Sequence, residues 1–177
     1  MLSTPLYSYN MALLDKTLQA AIGSASRYGF MVHYALKANS DLRLLERIRA
    51  HGFGVDCVSG NEVRCAVENG FHPSEIVFAG VGKTDNEIRY AISQKIFCFN
   101  CESMQELEVI NSIAGEMGAR VEVALCVNPD VDPHTHRFIS TGKAHSKFGI
   151  SHFELEQIVK TGYEHLSIVG LHFHIGS

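Results

Sequence analysis

The chain has 177 residues, of which 46% are hydrophobic and 19% are charged, as in a globular domain with a sizeable core. The formal net charge is −4 at pH 7 and no basic block is present, so nucleic acid and anionic membranes are not expected partners. The apolar runs are too short to span a membrane, and the start of the chain lacks the pattern of an export signal. The five scattered cysteines favour a reducing, cytoplasmic location.

Strand and helix patterns alternate along most of the chain. Asn10 is the predicted N-cap of a first helix that runs to about Ser26. The predicted strands that follow are 31–38, 54–58, 76–79, 96–100, 120–127 and 166–174. The predicted helices between them are 42–50, 61–69, 85–94, 104–115 and 153–160. This alternation predicts an α/β fold with parallel strands that are buried on both faces.

Two parallel architectures fit this pattern, an open sheet and a closed barrel. The glycine-rich sequence that binds dinucleotides in open sheets does not follow the first strand, which weakens the first alternative. Six strand–helix units are two fewer than the eight of a complete TIM-type (β/α)8 barrel. We therefore expect residues 1–177 to form the N-terminal part of such a barrel, incomplete at about six units.

A lysine interrupts the apolar segment 32–38, where a buried strand should not contain a charge. If the strand continued through this segment, Ala35 and Lys37 would face one side, and Leu36 and Ala38 the other. A buried ammonium group is costly unless it is paired or neutralised. Lys37 is therefore either a residue at a strand end whose amine reaches solvent, or an interior amine that forms a Schiff base.

Polar residues fall at or near the carboxyl ends of several predicted strands. In a parallel barrel these ends meet on one face, so we expect the residues to share a site. They are Lys37, Asp56, Asn100, Asn128 and His174. Each of them taken alone could instead cap a strand or close a turn.

Two histidines, His172 and His174, are two residues apart on the last predicted strand and therefore point to the same face. This spacing occurs among metal ligands, and His134 and His136 add two more imidazoles to the preceding loop. The alternative is a pair of core histidines that hydrogen bonds satisfy. Because barrel metallohydrolases carry such a pair on their first strand and not on their sixth, we expect no metal.

Two short motifs lack the context that their usual function needs. The sequence Gly82-Lys83-Thr84 ends like a phosphate-binding loop, but Val77 stands where that loop requires a glycine. Cys98 and Cys101 form a CxxC pair with no second pair, so neither a zinc site nor a redox site is predicted from them.

The segment Tyr34-Ala-Leu-Lys37-Ala-Asn39 resembles the cofactor-lysine motif of the fold-type III pyridoxal-phosphate decarboxylases. Further motifs resemble those of the same family, and most closely those of its diaminopimelate-decarboxylating branch. In chain order they lie at 4–7, 55–62, 82–85, 127–132, 134–136, 139–142, 147–149 and 170–177. The resemblance therefore covers almost the whole chain.

This resemblance implies the cofactor pyridoxal 5′-phosphate, bound covalently by Lys37. It also implies that His174 lies against the face of the cofactor ring and that Ser177 meets the phosphate or the loop that holds it. Asp56 matches an acidic residue near the cofactor. Glu62 matches a second acidic residue of the family, although a helix-capping role explains it equally well.

The activity implied by the resemblance is that of a carboxy-lyase that converts meso-2,6-diaminopimelate into L-lysine and CO2, as a homodimer. A related ornithine, lysine or arginine decarboxylase is the alternative within the family, and a non-catalytic cofactor-binding barrel or regulator is the alternative outside it. The family's phosphate loop and its C-terminal β domain are expected beyond residue 177. Residues 1–177 alone are therefore expected to be inactive.

Overall fold

The computed structural model describes residues 4–129 and 149–174. Six strands form one sheet: β1 His33–Ala35, β2 Gly54–Cys57, β3 Ile76–Phe78, β4 Cys98–Cys101, β5 Val121–Cys126 and β6 Leu166–His172. The α-helices of the described residues are α1 Met11–Ser26, α2 Leu42–Ala50, α3 Gly60–Glu68, α4 Asp85–Gln94, α5 Met104–Glu116 and α6 His152–Thr161. The predicted strands and helices are all present, most of them with ends within two residues of the prediction.

The order of the strands distinguishes the start of a barrel from a doubly wound sheet. Every strand pairs in parallel with the next one in the sequence, so the order is β1 to β6 without a reversal. A doubly wound sheet changes direction at a switch point, which puts helices on both faces. With right-handed crossovers and no reversal, the helices all lie on one side, as in a barrel. The expected incomplete parallel barrel is confirmed, as an open sheet in which the described residues do not pair β1 with β6.

The core is one continuous cluster made by the strands and the inward faces of the helices. On the strands, the rings of Phe78 and Phe99 pack 5.9 Å apart, and Val55 and Ile76 are fully buried. The helices contribute the buried residues Leu45, Ile48, Val63, Ile88, Leu107 and Ile110. The period of these apolar residues explains why sequence patterns locate the helices reliably.

Helix starts are fixed by the capping residues that the sequence predicts. Asn10 accepts a hydrogen bond from the backbone N–H of Leu13 at 3.0 Å, so it is the N-cap of α1. Thr84 and Glu87 form a complete capping box at the start of α4. The Glu87 carboxylate also accepts from the N–H of Gly60 at 2.7 Å, which ties the starts of α3 and α4 together.

The first strand is shorter than predicted, and Lys37 does not lie in it. The prediction extended the strand over 31–38, whereas β1 ends at Ala35 and Leu36–Ala38 is a 3₁₀ turn. The strand-like alternation of side chains through Lys37 is therefore wrong. Of the two interpretations of this lysine, its position is that of a residue just past a strand end, with an exposed side chain.

Local hydrogen bonds explain why the strand stops early. Asp41 is the N-cap of α2, and its backbone N–H donates to the side-chain carbonyl of Asn39 at 2.9 Å. The backbone carbonyl of Asn39 accepts from the hydroxyl of Tyr34 at 3.2 Å. Because the chain has to turn directly into α2, it leaves the sheet after Ala35. The turn buries Leu36, which is only 1% exposed.

A buried ion pair joins the carboxyl ends of the central strands. The Lys83 side chain is only 1% exposed, and its ammonium donates to Glu106 Oε1 at 2.6 Å. It also donates to the backbone carbonyls of Gly80 and Asn100, at 2.7 and 2.8 Å. An ammonium has three protons, so the hydrogen-bonding capacity of this lysine is fully used. Lys83 is therefore a structural residue that connects β4 with the start of α5.

Replacing Lys83 should destabilise the fold strongly. Lys83→Met leaves the Glu106 carboxylate, which is 13% exposed, without its charged partner, so we expect a loss of about 3–5 kcal/mol in the free energy of unfolding. The measurement is urea denaturation followed by circular dichroism.

The matched control for this prediction is Lys160→Met. Lys160 pairs with Glu156, but both side chains are more than three-quarters exposed (77% and 78%), so the change should stay below about 0.5 kcal/mol. Equal effects of the two substitutions would contradict the role given to Lys83.

Candidate active site

The polar residues that the sequence predicted to converge lie along the carboxyl edge of the sheet. Lys37 is in the turn directly after β1, and Asp56 lies within β2. Asn100 is in β4 and is only 7% exposed, whereas Asn128 and His174 follow β5 and β6 by two residues. Since carboxyl ends of parallel strands form one edge, the topology brings these five positions to the same face of the fold.

The carboxyl group of Asp56 interacts with several charged groups near this edge. Burial raises the pKa of its carboxyl group, while His172, Lys37, His33 and Lys83 oppose that rise through their charges. His172 is the last residue of β6, Lys37 and Lys83 follow β1 and β3, and His33 is the first residue of β1, so charges from several strands act on this one carboxylate. Within the described residues, Asp56 Oδ1 is buried and has no hydrogen-bond partner. A buried oxygen without a partner is a group that a ligand can satisfy.

Two half-buried imidazoles, those of His33 and His172, lie near enough to Asp56 for its charge to act on them. Burial lowers the pKa of His33 and of His172, and the nearby Asp56 carboxylate counteracts the effect in both. In the part of the chain that the structure describes, His33 Nε2 and His172 Nδ1 lack hydrogen-bond partners. Both rings are therefore expected to be neutral at neutral pH and able to bind a ligand.

Lys37 differs from Lys83 in almost every respect. Its side chain is exposed, and it makes no hydrogen bond or ion pair with another described residue. Its charge helps to lower the pKa of the Asp56 carboxyl group, against the larger effect of burial. The amine of Lys37 is therefore accessible at the edge of the site, whereas the amine of Lys83 is held in hydrogen bonds that stabilise the fold.

Some predicted residues fall outside the described ranges, namely Ser177 and the loop histidines His134 and His136. His174 is described, and its charge acts on His172, whose pKa it helps to lower after the larger effect of burial. The site therefore contains both members of the predicted histidine pair.

Glu62 has the capping geometry that the sequence offered as one of its two explanations. Its carboxylate accepts from the backbone N–H of Val58 at 2.8 Å, and its own N–H donates to the hydroxyl of Ser59. These bonds fix the turn that leads from β2 into α3, directly after Asp56.

All five cysteines are free thiols, and Cys98 and Cys101 are buried in β4. Burial raises the pKa of Cys98 to about 12 and the pKa of Cys101 well above its ordinary value. A protonated, buried thiol is a poor nucleophile and a poor redox group.

Three further residues were not predicted from the sequence, namely Glu102 and Cys126, which lie at the carboxyl ends of β4 and β5, and His33, the first residue of β1. The Glu102 carboxylate accepts from the backbone N–H of Gly149 at 3.0 Å, and Cys126 is the last residue of β5. Ligand atoms of Glu102, Cys126 and His172 lie within 4.8 Å of one another. The sequence places Glu102 and Cys126 near the ends of predicted strands, but their residue types match no known motif.

Comparison with known proteins gives one clear family. Residues 15–177 match the sequence model described as pyridoxal-dependent decarboxylase, pyridoxal binding domain. The diaminopimelate decarboxylase of Bacteroides thetaiotaomicron is 48% identical over 179 residues, which cover 99% of this chain and 46% of that protein. The diaminopimelate decarboxylase of Vibrio cholerae is 42% identical, covering 98% and 42%. The chain thus spans less than half the length of these relatives.

Solved structures show the same likeness. A diaminopimelate decarboxylase from Helicobacter pylori complexed with L-lysine superposes with a TM-score of 0.91 and 36% identity, over 100% of this chain and 45% of that one. The arginine decarboxylase of Paramecium bursaria Chlorella virus gives a TM-score of 0.76 and 25% identity, over 92% and 42%. Both measures are higher for the diaminopimelate enzyme.

Asp56 should lower the stability of the fold at neutral pH. Its pKa is higher in the folded chain than in the unfolded one, so stability falls as the pH rises from the unfolded pKa towards the folded pKa. Asp56→Asn is therefore expected to raise the urea midpoint above this range and to leave it nearly unchanged below it.

Asp85→Asn is the control, with the opposite expected sign. Asp85 is exposed in the first turn of α4, where a carboxylate is favoured by the helix dipole, so its loss should reduce stability slightly. A lower urea midpoint for Asp56→Asn at neutral pH would contradict the effect of burial on this carboxylate.

Proposed function

The chain belongs to the family of pyridoxal-dependent decarboxylases, whose pyridoxal-binding domain it matches over residues 15–177. On that premise we propose that it is the cofactor-binding part of a carboxy-lyase that converts meso-diaminopimelate into L-lysine and CO2. The identities of 48% and 42% to diaminopimelate decarboxylases, against 25% to an arginine decarboxylase of solved structure, support this substrate.

The observation that carries the proposal is the exposed, unpaired side-chain amine of Lys37 among the described residues. A lysine that binds pyridoxal phosphate covalently needs an accessible amine at the active-site edge. Lys37 lies at that edge, exposed and unpaired among the described residues, with Asp56 close enough to act on it. Lys83 is the nearest alternative in the site, but its amine is buried and makes three hydrogen bonds.

The other residues of the edge fit the cofactor as well. Asp56 offers a carboxylate oxygen that has no hydrogen-bond partner among the described residues. We assign this carboxylate to bind positively charged groups of the site. We assign His174 to the face of the ring and Ser177 to the phosphate, as the family resemblance implies. When bound, pyridoxal phosphate supplies an acceptor for the electron pair that the loss of CO2 leaves behind.

The chain's own contribution to the chemistry is binding, orientation and charge. Lys37 would hold the cofactor through its side-chain amine. The carboxylate of Asp56 would interact with the positive charges that meet there, because it already interacts with the charge of Lys37 across the site. Burial lowers the pKa values of the half-buried rings of His33 and His172, so these imidazoles add little charge near Asp56.

The cellular context and the assembly are also part of the proposal. Five free cysteines support a location in the reducing cytoplasm. The family resemblance supports a homodimer. None of the helices in the described ranges combines the length and the apolar character that crossing a bilayer requires.

The direct test of this function is a decarboxylation assay on the complete reading frame that contains residues 1–177. We expect CO2 release and L-lysine formation from meso-diaminopimelate, with at least about tenfold lower kcat/KM for L-ornithine and L-arginine. A preference for either of those substrates would favour the alternative decarboxylases. Cofactor binding without turnover of any of them would favour a regulator.

Lys37 variants test the residue assignment in the same assay. Lys37→Ala should abolish turnover because the covalent link is lost, and Lys37→Arg should fail equally because a guanidinium keeps its charge. Lys160→Ala, at an exposed position of α6, should retain the wild-type rate. Activity in Lys37→Ala would contradict the assignment.

Residues 1–177 by themselves should show no turnover, since they correspond to less than half of the relatives that carry the activity in their names. The same assay applied to the 177-residue chain checks this. Decarboxylation of diaminopimelate by that chain would show that its own residues make a complete site.

A further inference from the structure

Three different ligand groups come together at the ends of neighbouring strands. Glu102 follows β4 directly, Cys126 is the last residue of β5 and His172 is the last residue of β6. One ligand atom from each lies within 4.8 Å of the other two. Cys126 and His172 are also register partners in the parallel pairing of β5 and β6, so their side chains leave the same face of the sheet.

The carboxylate of the cluster is held in place by the backbone around it. Glu102 Oε2 accepts from the N–H of Gly149 at 3.0 Å, while the N–H of Glu102 donates to Glu106 at 2.7 Å. Gly149 has φ +83°, and a Cβ at this position would lie 2.6 Å from the backbone nitrogen of Asn128. Only glycine therefore lets the returning chain approach closely enough to orient the carboxylate.

The other two groups are shielded from solvent. Cys126 is only 3% exposed, and Nδ1 of His172 is buried without a hydrogen-bond partner in the described part of the chain. Buried polar atoms in folded proteins are almost always satisfied, so a nitrogen of this kind indicates a missing partner. A thiol and a carboxylate beside it are the groups that complete a metal site.

We propose that Glu102, Cys126 and His172 form a binding site for a borderline-soft divalent cation, with Zn²⁺ the preferred ion. Carboxylate, thiolate and imidazole are all zinc ligands, whereas Ca²⁺ and Mg²⁺ require oxygen. Metal–ligand bonds of about 2.0–2.3 Å place tetrahedral ligand atoms roughly 3.3–3.8 Å apart, so the three atoms need to approach one another by at most about 1.5 Å. Binding releases the thiol proton of Cys126 to solvent and leaves a fourth position open.

The site differs from the metal pattern considered in the sequence, which paired His172 with His174. It uses one of these histidines together with two residues that no motif singles out. It also contains neither Lys37 nor Asp56, so its existence does not depend on the proposed decarboxylation.

The test uses Co²⁺ as a spectroscopic substitute for zinc, added to the metal-free chain without pyridoxal phosphate. We expect one Co²⁺ per chain, with a near-ultraviolet thiolate-to-cobalt charge-transfer band that Zn²⁺ removes by displacement. Cys126→Ser should abolish the band. Glu102→Gln and His172→Asn should each weaken Co²⁺ binding by at least about tenfold.

The matched controls are a buried thiol and a half-buried imidazole outside the cluster. Cys98→Ser and His33→Asn should retain the band and the affinity, because these residues are not among the three ligands. The proposal is overturned if wild-type protein shows no band, if Cys126→Ser retains it, or if Cys98→Ser loses it.

X-ray absorption on the zinc-loaded wild-type chain decides the question even if variants fail to fold. One sulfur with nitrogen and oxygen neighbours supports the proposed ligands. A shell without sulfur, or with two sulfurs, overturns them.

Discussion

The arrangement of the site depends on one constraint, the parallel pairing of consecutive strands. Because each strand enters the sheet beside its predecessor and in the same direction, every carboxyl end reaches the same edge. Residues far apart in the sequence therefore meet at this edge, where Lys37 and His172 both act electrostatically on Asp56. An antiparallel strand at any position would move its polar residue to the opposite edge and leave Asp56 without that partner.

Two lysines at this edge show how the surroundings of a residue decide its role. Lys83 is enclosed by Glu106 and two backbone carbonyls, so its charge is satisfied and its amine is unavailable. Lys37 lies on a short turn, is exposed, and its charge acts on the carboxyl group of Asp56. The burial of Asp56 costs stability, and such costs are common where a protein prepares a site for a ligand.

Much of the fold could be predicted from the sequence, because strands and helices leave periodic apolar patterns and their capping residues are local. The end of β1 could not, since it depends on hydrogen bonds that Asn39 makes with Tyr34 and Asp41. The ion pair of Lys83 was invisible because Glu106 is 23 residues away in the sequence. In the site, the positions of Lys37 and Asp56 near strand ends could be predicted from the sequence. The proximity of Glu102, Cys126 and His172 could not, because it depends on the register in which β5 pairs with β6.

Borohydride reduction tests most directly whether Lys37 is the residue that carries the cofactor. The complete protein is incubated with pyridoxal phosphate, reduced, digested and mapped by mass spectrometry. We expect a reduced pyridoxyl group on the peptide that contains Lys37 and on no other. A label on Lys83, Lys143 or Lys147 in its place would contradict it.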